Sequence, residues 1–181
     1  MHDWIKLERL ERNDLPLPNY ATKHASGIDF GICLKRPCYL IEHSEKRKFH
    51  ITTANNRDYD ENDDPNFPPT NVSQLTFLPY ETIMLSLGFK MEPSIHSMQL
   101  YVRSSTAIKG LMLANNVAII DHDYRGEIFV ILYNRTADNI TVTHGQHLVQ
   151  GVLMPFWQAI IKEAPVDTTI RGAGGFGSTG N

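Results

Sequence analysis

The chain has 181 residues, 41% of them hydrophobic and 20% charged, with a formal net charge of −3. That length and composition suit one soluble domain with a single core and exclude a pair of full-sized domains. Its 17 basic residues are scattered, which excludes a nucleic-acid-binding stripe, and the longest apolar run, residues 128–133, is far too short to span a bilayer.

In chain order, residues 1–10 lack the apolar stretch of a signal peptide, so a cytoplasmic location is the expectation. Apolar residues then fall in short β-branched and aromatic runs at 4–10, 75–78, 82–89, 98–102, 128–133, 140–142 and 147–156. No run sustains a 3.6-residue period over three turns. The pattern predicts an all-β barrel or sandwich, with one helical turn at 104–109. Pro155, inside the last run, predicts an edge or an exit from the sheet. Cys33, Cys38, His43 and His50 stand as C-x4-C-x4-H-x6-H, a loose version of a Cys2His2 zinc spacing. Two free thiols are the simpler assignment for a chain with no other cysteine. Residues 56–70 carry five acids and three prolines and read as an exposed loop, without the glycine turn and closing glutamate of a calcium loop.

Two later segments carry chemistry. Asp121 follows the apolar residues 117–120, where a strand would deliver a carboxylate to the mouth of a pocket; taken alone, a turn cap explains it as well. The last eleven residues, RGAGGFGSTGN, contain five glycines, an arginine, a phenylalanine and two hydroxyls. Glycine at that density lets backbone N–H groups approach a phosphate, Arg171 offers a charged fork for its oxygens, and Phe176 can cover a flat ring. Taken alone, such an end also reads as a frayed terminus.

Five segments in order resemble the motifs of the trimeric dUTPases, the all-β deoxyuridine triphosphate pyrophosphatases: residues 21–30 (ATKHASGIDF), 102–110 (VRSSTAIKG), 118–127 (AIIDHDYRGE), 145–150 (GQHLVQ) and 171–181. The resemblance implies a distorted jelly-roll or β-barrel domain over residues 1–165 and a glycine-rich arm over 166–181 that closes the active site of a homotrimer. Residues 162–181 extended reach at most about 65–70 Å, against a radius of gyration of about 15 Å for a body this size, so the arm can cross to a neighbour. It also implies hydrolysis of dUTP to dUMP and pyrophosphate, by Mg2+-assisted in-line attack of a water that Asp121 orients and deprotonates. Arg103, Ser104, Ser105 and Gln150 would hold phosphates, and Asn115, Ala118 and Ile120 would lie along the uracil edge. Tyr124 would pack on the sugar and exclude a ribose. Arg171, the second catalytic group, would close over the distal phosphates with Gly177, Ser178 and Thr179, while Phe176 stacks on the base. Asp29 would touch the Mg2+ indirectly, through a water. Two residues depart from the pattern, Ala118 and Ser105, each standing where glycine is usual or frequent, and the Ala118 methyl is expected either to crowd the base or to demand a slightly different hairpin around residues 115–120.

Residues 34–73 have no counterpart in that pattern. Their acidic, proline-bearing middle is expected to be a surface excursion that does not replace a core strand, since lengthening a loop costs only about 0.6 kcal/mol per doubling. On this reading a short Gly-Ser linker in place of residues 44–70 leaves trimer formation and hydrolysis intact. The insert also opens one alternative, a dUTPase-like protein with an added regulatory role that binds a protein partner through it. The other alternative is a dCTP deaminase, or a bifunctional deaminase and pyrophosphatase, whose motif shares Arg-Ser-Ser with residues 103–105. Its catalytic glutamate would fall at Ile131, which cannot shuttle a proton.

Overall fold

The computed structural model describes residues 4–43, 45–53, 56–59 and 73–174, with residues 50–53, 56, 58 and 59 described by their backbone alone. The strands are β1 (Ile5–Arg9), β2 (Asn19–Tyr20), β3 (Ile28–Gly31), β4 (Cys38–Glu42), β5 (Glu45–Thr53), β6 (Asn56–Tyr59), β7 (Gln74–Phe77), β8 (Thr82–Ser86), β9 (Phe89–Pro93) and β10 (Ser97–Val102), then β11 (Leu111–Leu113), β12 (Ala118–Ile120), β13 (Phe129–Asn134), β14 (Ile140–Thr143) and β15 (His147–Met154). One helical turn, α1 (Ser104–Ile108), follows β10, as the sequence predicts.

The strands form two main antiparallel sheets, β12-β10-β15-β3-β2 and β11-β13-β8-β4-β5-β6, with β1 paired to β9 and β14 to β7. Buried and half-exposed residues alternate along β9 and β13, the mark of strands with one face inward. Phe30, Met98, Leu100 and Val149 from the first sheet meet Leu40, Phe49, Leu85 and Leu132 from the second in one buried cluster. The apolar run at 82–89 is two strands, because the chain breaks at Leu87-Gly88, where the Asn13 side chain donates to the Gly88 carbonyl at 2.6 Å. β15 ends at Met154, and residues 155–169 form neither strand nor helix, as Pro155 predicts.

The inserted segment departs from expectation. Among its described residues, β4, β5 and β6 extend the six-stranded sheet, and Cys38, Leu40 and Phe49 lie in the core, whereas the acidic, proline-bearing stretch from 60 to 72 lies outside the described residues. Arg57 of β6 pairs with Glu81 through both guanidinium nitrogens, at 2.8 Å for Nη2 to Oε2, and the side chains are only 8% and 11% exposed. The Arg57 guanidinium also lies 5.0 Å from the centre of the Phe49 ring. The sequence reading failed because β5 (EKRKFHITT) is mostly polar, and a single buried ring plus a buried ion pair carries what an apolar run usually carries.

Cys33 and Cys38 are free thiols in the core. Burial pushes the Cys33 thiol up and the Cys38 thiol up to about 12, so neither is a ready thiolate ligand. The His50 side chain, the last member of the loose zinc spacing, lies outside the described residues.

Candidate active site

One group of motif residues is assembled across the five-stranded sheet. Registered neighbours on adjacent strands point to the same face, and Asn19, Asp29, Gln150 and Tyr101 form such a row, with Asn19↔Asp29, Asp29↔Gln150 and Tyr101↔Gln150 paired. Arg103 lies two residues beyond Tyr101, so it projects on that face too. Its Nε is 3.2 Å from Asp29 Oδ1, and its Nη1 donates to the His147 carbonyl at 3.4 Å. Asp29 is 9% exposed and His147 Nδ1 is 3.9 Å from its other oxygen, so the carboxylate is enclosed by positive or donor groups. Gly27 makes room here: a Cβ at that position would come 2.5 Å from Gln150 Oε1. Ser104 and Ser105 follow Arg103 as exposed residues at the start of α1. The Arg103–Asp29 pair is a contact that motif matching did not foresee. The two residues are far apart in sequence, and only the shared sheet face unites them.

A second group surrounds the end of β12. Ala118 and Ile120 face the core at 7% and 9% exposure, and Ile119 faces out. Asp121 is exposed and opens a turn that the Tyr124 N–H closes on the Asp121 carbonyl at 3.2 Å. The Tyr124 hydroxyl donates to the Glu127 carbonyl at 2.9 Å, and the ring lies where a Cβ on residue 126 would be 2.4 Å from the hydroxyl, so Gly126 is required for that pose. Glu127 is itself held by Arg36, at 3.0 Å for Nε to Oε1 and 2.6 Å for Nη2 to Oε2. Asp121 and Tyr124 line a cleft of about 410 Å³ whose other walls include Tyr39, Lys46, Ile119 and Phe129. A cleft of that size is within the usual range for small-molecule sites.

Asn115 is exposed in the turn before β12, where Asn116 adopts φ 61°. The strands flanking that turn do not pair with each other: β11 pairs with β13 and β12 with β10, so the turn carries the chain from one sheet to the other. The Ala118 methyl belongs to the core cluster, because alternation along β12 turns it inward. Arg171 is exposed, its Nε donating to the Gly174 carbonyl at 2.9 Å. Phe176, Gly177, Ser178 and Thr179 lie outside the described residues.

The two groups are separate. Asp121 lies one step past the pair Met98↔Ile120, beside Ser97 at the start of β10, whereas Arg103 follows its end. Six residues of strand at 3.3 Å each put their backbones about 20 Å apart.

The dUTPase family model matches residues 71–180, more than half of the chain. The chain belongs to the dUTPase family. Among curated relatives, the deoxyuridine 5'-triphosphate nucleotidohydrolase of Desulfotalea psychrophila is 32% identical over 98% of this chain and 96% of its own. Among solved structures, a Staphylococcus bacteriophage 80alpha dUTPase mutant with dUpNHpp superposes with a TM-score of 0.69 at 16% identity, covering 98% of this chain and 99% of that one. A mutant dUTPase from phage phi11 of S. aureus, described as coordinating a structural Mg(II) ion, superposes with a TM-score of 0.62 at 13% identity over 92% and 99%. These likenesses establish the dUTPase fold. Among the described residues, no helix is long and apolar enough to cross a membrane.

Proposed function

We propose that three copies of this chain form a cytoplasmic homotrimer that hydrolyses dUTP to dUMP and pyrophosphate at sites shared between subunits. The observation that carries the shared site is the separation of about 20 Å between Asp121 and Arg103 along one β10. An attacking water must come within about 3–3.5 Å of phosphorus, and phosphate ligands must surround that same group. One chain supplies the water-activating carboxylate at one end of β10 and the phosphate grip at the other. A neighbour has to bring the missing half, and cyclic symmetry makes three such sites equivalent.

Asp121 accepts a proton from the water, whose oxygen attacks the α-phosphorus; the bond to the bridging oxygen breaks, and that oxygen leaves with pyrophosphate. Arg103, Ser104, Ser105 and Gln150 of a neighbouring copy bind the phosphate oxygens, with Asp29 holding Arg103 in place. Backbone groups at Asn115, Ala118 and Ile120 meet the uracil edge, and Tyr124 packs on the deoxyribose where a 2'-hydroxyl would sit. The arm then closes, with Arg171, Gly177, Ser178 and Thr179 over the distal phosphates and Phe176 on the base. The segment that leads into the arm and the arm's first residues carry Trp157, Ile160, Ile161, Val166 and Ile170, each at least 85% exposed, an apolar load that a subunit surface can cover.

Among the described residues, no group of three or more histidine, cysteine or acidic side chains is arranged to hold a metal ion. Mg2+ would be carried in by the triphosphate and held mostly by it and by water, with Asp29, whose carboxylate already meets Arg103, reached only through a water. When bound, the ion neutralises charge on the phosphate oxygens.

Mixing two inactive variants tests the shared site. Asp121→Asn and Arg103→Ala chains, unfolded and refolded together, should recover dUTP hydrolysis in about a quarter of the sites, because each site draws the two residues from different chains at random. A mixture as inactive as its parents would show that one chain supplies both groups. A wild-type chain that releases no pyrophosphate from dUTP would end the functional reading itself.

A further inference from the structure

The inserted strands form one wall of the catalytic cleft, and they bring a cation to it. On the solvent face of the six-stranded sheet, Tyr39 of β4 is registered with Met84 of β8 and with Lys48 of β5. Lys46 is therefore its diagonal neighbour on the same face. The Lys46 ammonium lies 6.0 Å from the centre of the Tyr39 ring, and the Tyr39 ring meets Phe129 edge-on at 5.8 Å. The two rings make an aromatic floor between Lys46 and the Asp121 and Tyr124 side of the cleft.

The charges lining this cleft are Asp121, Glu127 and Lys46. Glu127 is engaged by Arg36 through both oxygens, which leaves Asp121 as the uncompensated negative group. A triphosphate that must approach Asp121 meets a like charge there. Arg103 of the same chain is about 20 Å away, and a neighbour's Arg103 would approach from across the subunit boundary, so Lys46 is the cation that this chain's own cleft lining offers.

We propose that Lys46, on the inserted strand β5, is a phosphate-binding residue of the dUTP site. The assignment rests on the functional reading above and adds to it a group that none of the five motifs contains. It also gives the insert a place in the chemistry: β5 supplies part of the binding wall. Lys46 is exposed, so its contact is worth less than a buried charge-assisted bond, and its role is to draw in and orient an anion rather than to activate water.

The test compares Lys46→Gln and Lys46→Arg with wild type, with Lys90→Gln on β9, paired to Glu8 away from the cleft, as a surface control. In low salt, Lys46→Gln should raise KM for dUTP about five- to tenfold, a discounted charge-assisted contact, with kcat near wild type. Lys46→Arg and Lys90→Gln should retain wild-type KM, and the Lys46→Gln defect should shrink as salt rises. Inhibition constants separate phosphate from base contact: a non-hydrolysable imido analogue of dUTP should bind Lys46→Gln more weakly than wild type, and deoxyuridine should bind both alike. An unchanged KM in low salt, an equal loss for deoxyuridine, or an arginine variant as impaired as the glutamine one would overturn the proposal. A failure of the functional reading shows separately, as wild-type protein that neither turns over dUTP nor binds the analogue.

Discussion

The two ends of β10 are built differently. At the Arg103 end the side chains are already engaged: Arg103 holds Asp29, Gln150 lies over Gly27, and the carboxylate is almost enclosed. At the Asp121 end the carboxylate is exposed, Ile119 and Tyr124 are 61% and 43% exposed, and a cleft stands open beside them. Under the proposed function the first end would serve as a preorganised anion grip, with Asp29 fixing the arginine in the single chain before any phosphate arrives. The second end is unfinished until something packs against it. A grip can be built in advance without harm, whereas a water-activating carboxylate acts on its phosphate only once both are brought into line.

The largest expected effect breaks this contrast at its open end. Asp121→Asn removes the general base but no packing, because the side chain is exposed, so turnover should fall by roughly 10² to 10⁴ with an unchanged melting temperature. Steady-state rates and a thermal melt of the same sample decide it, and wild-type turnover in the variant would remove Asp121 from the chemistry. Removal of residues 170–181 should come next: a trimer by light scattering, with impaired turnover, because under the proposed function the segment would serve to close over the phosphates. A monomer, or a fully active trimer, would contradict that role.

The strand that ends at Ile120, just before Asp121, and the helical turn that follows Arg103 were legible in the sequence because each sits in a short local pattern: Ile-Ile-Asp closing an apolar run, and Arg-Ser-Ser after a β run. What joins them was not. The Arg103–Asp29 pair depends on β3 and β10 both flanking β15, a topology that no local window contains. The inserted strands were missed for another reason. β5 buries Phe49 amid charged residues, and its partner strand β6 is anchored by Arg57 to Glu81, so stability comes from one ring and one ion pair and leaves no apolar periodicity to read. The inward turn of Ala118 was not legible either, because a motif position gives the residue type but not which way a short strand turns it.

The third prediction asks whether the wall opposite Asp121 is structural. Phe49→Ala leaves a cavity under β4 and β6 and should cost about 3–5 kcal/mol, a drop in melting temperature of roughly 10 °C for a domain of this size. Arg57→Ala strands a buried Glu81 and belongs in a similar range, about 3–5 kcal/mol. Replacement of residues 44–70 by a linker deletes both anchors at once and should yield little soluble protein. If that deletion gave a stable trimer with normal turnover, β5 and β6 would be ornamental after all, and Lys46 with them.

The smallest effect concerns Ala118, at the same open end. A methyl that crowded the base would make Ala118→Gly bind dUTP better. With the methyl in the core instead, glycine removes a buried group and loosens a three-residue strand, so the cost should be about 1–2 kcal/mol of stability. KM for dUTP should stay at the wild-type value while the melting temperature drops by a few degrees, on the order of 2–4 °C per kcal/mol. The comparison separates two uses of one strand. If β12 presents only its backbone to the nucleotide, side chains at 118 are read by the core and are silent in binding. A fall in KM without loss of stability would mean that the methyl faces the base, and that the alternation along Ala118, Ile119 and Ile120 is reversed when the subunits assemble.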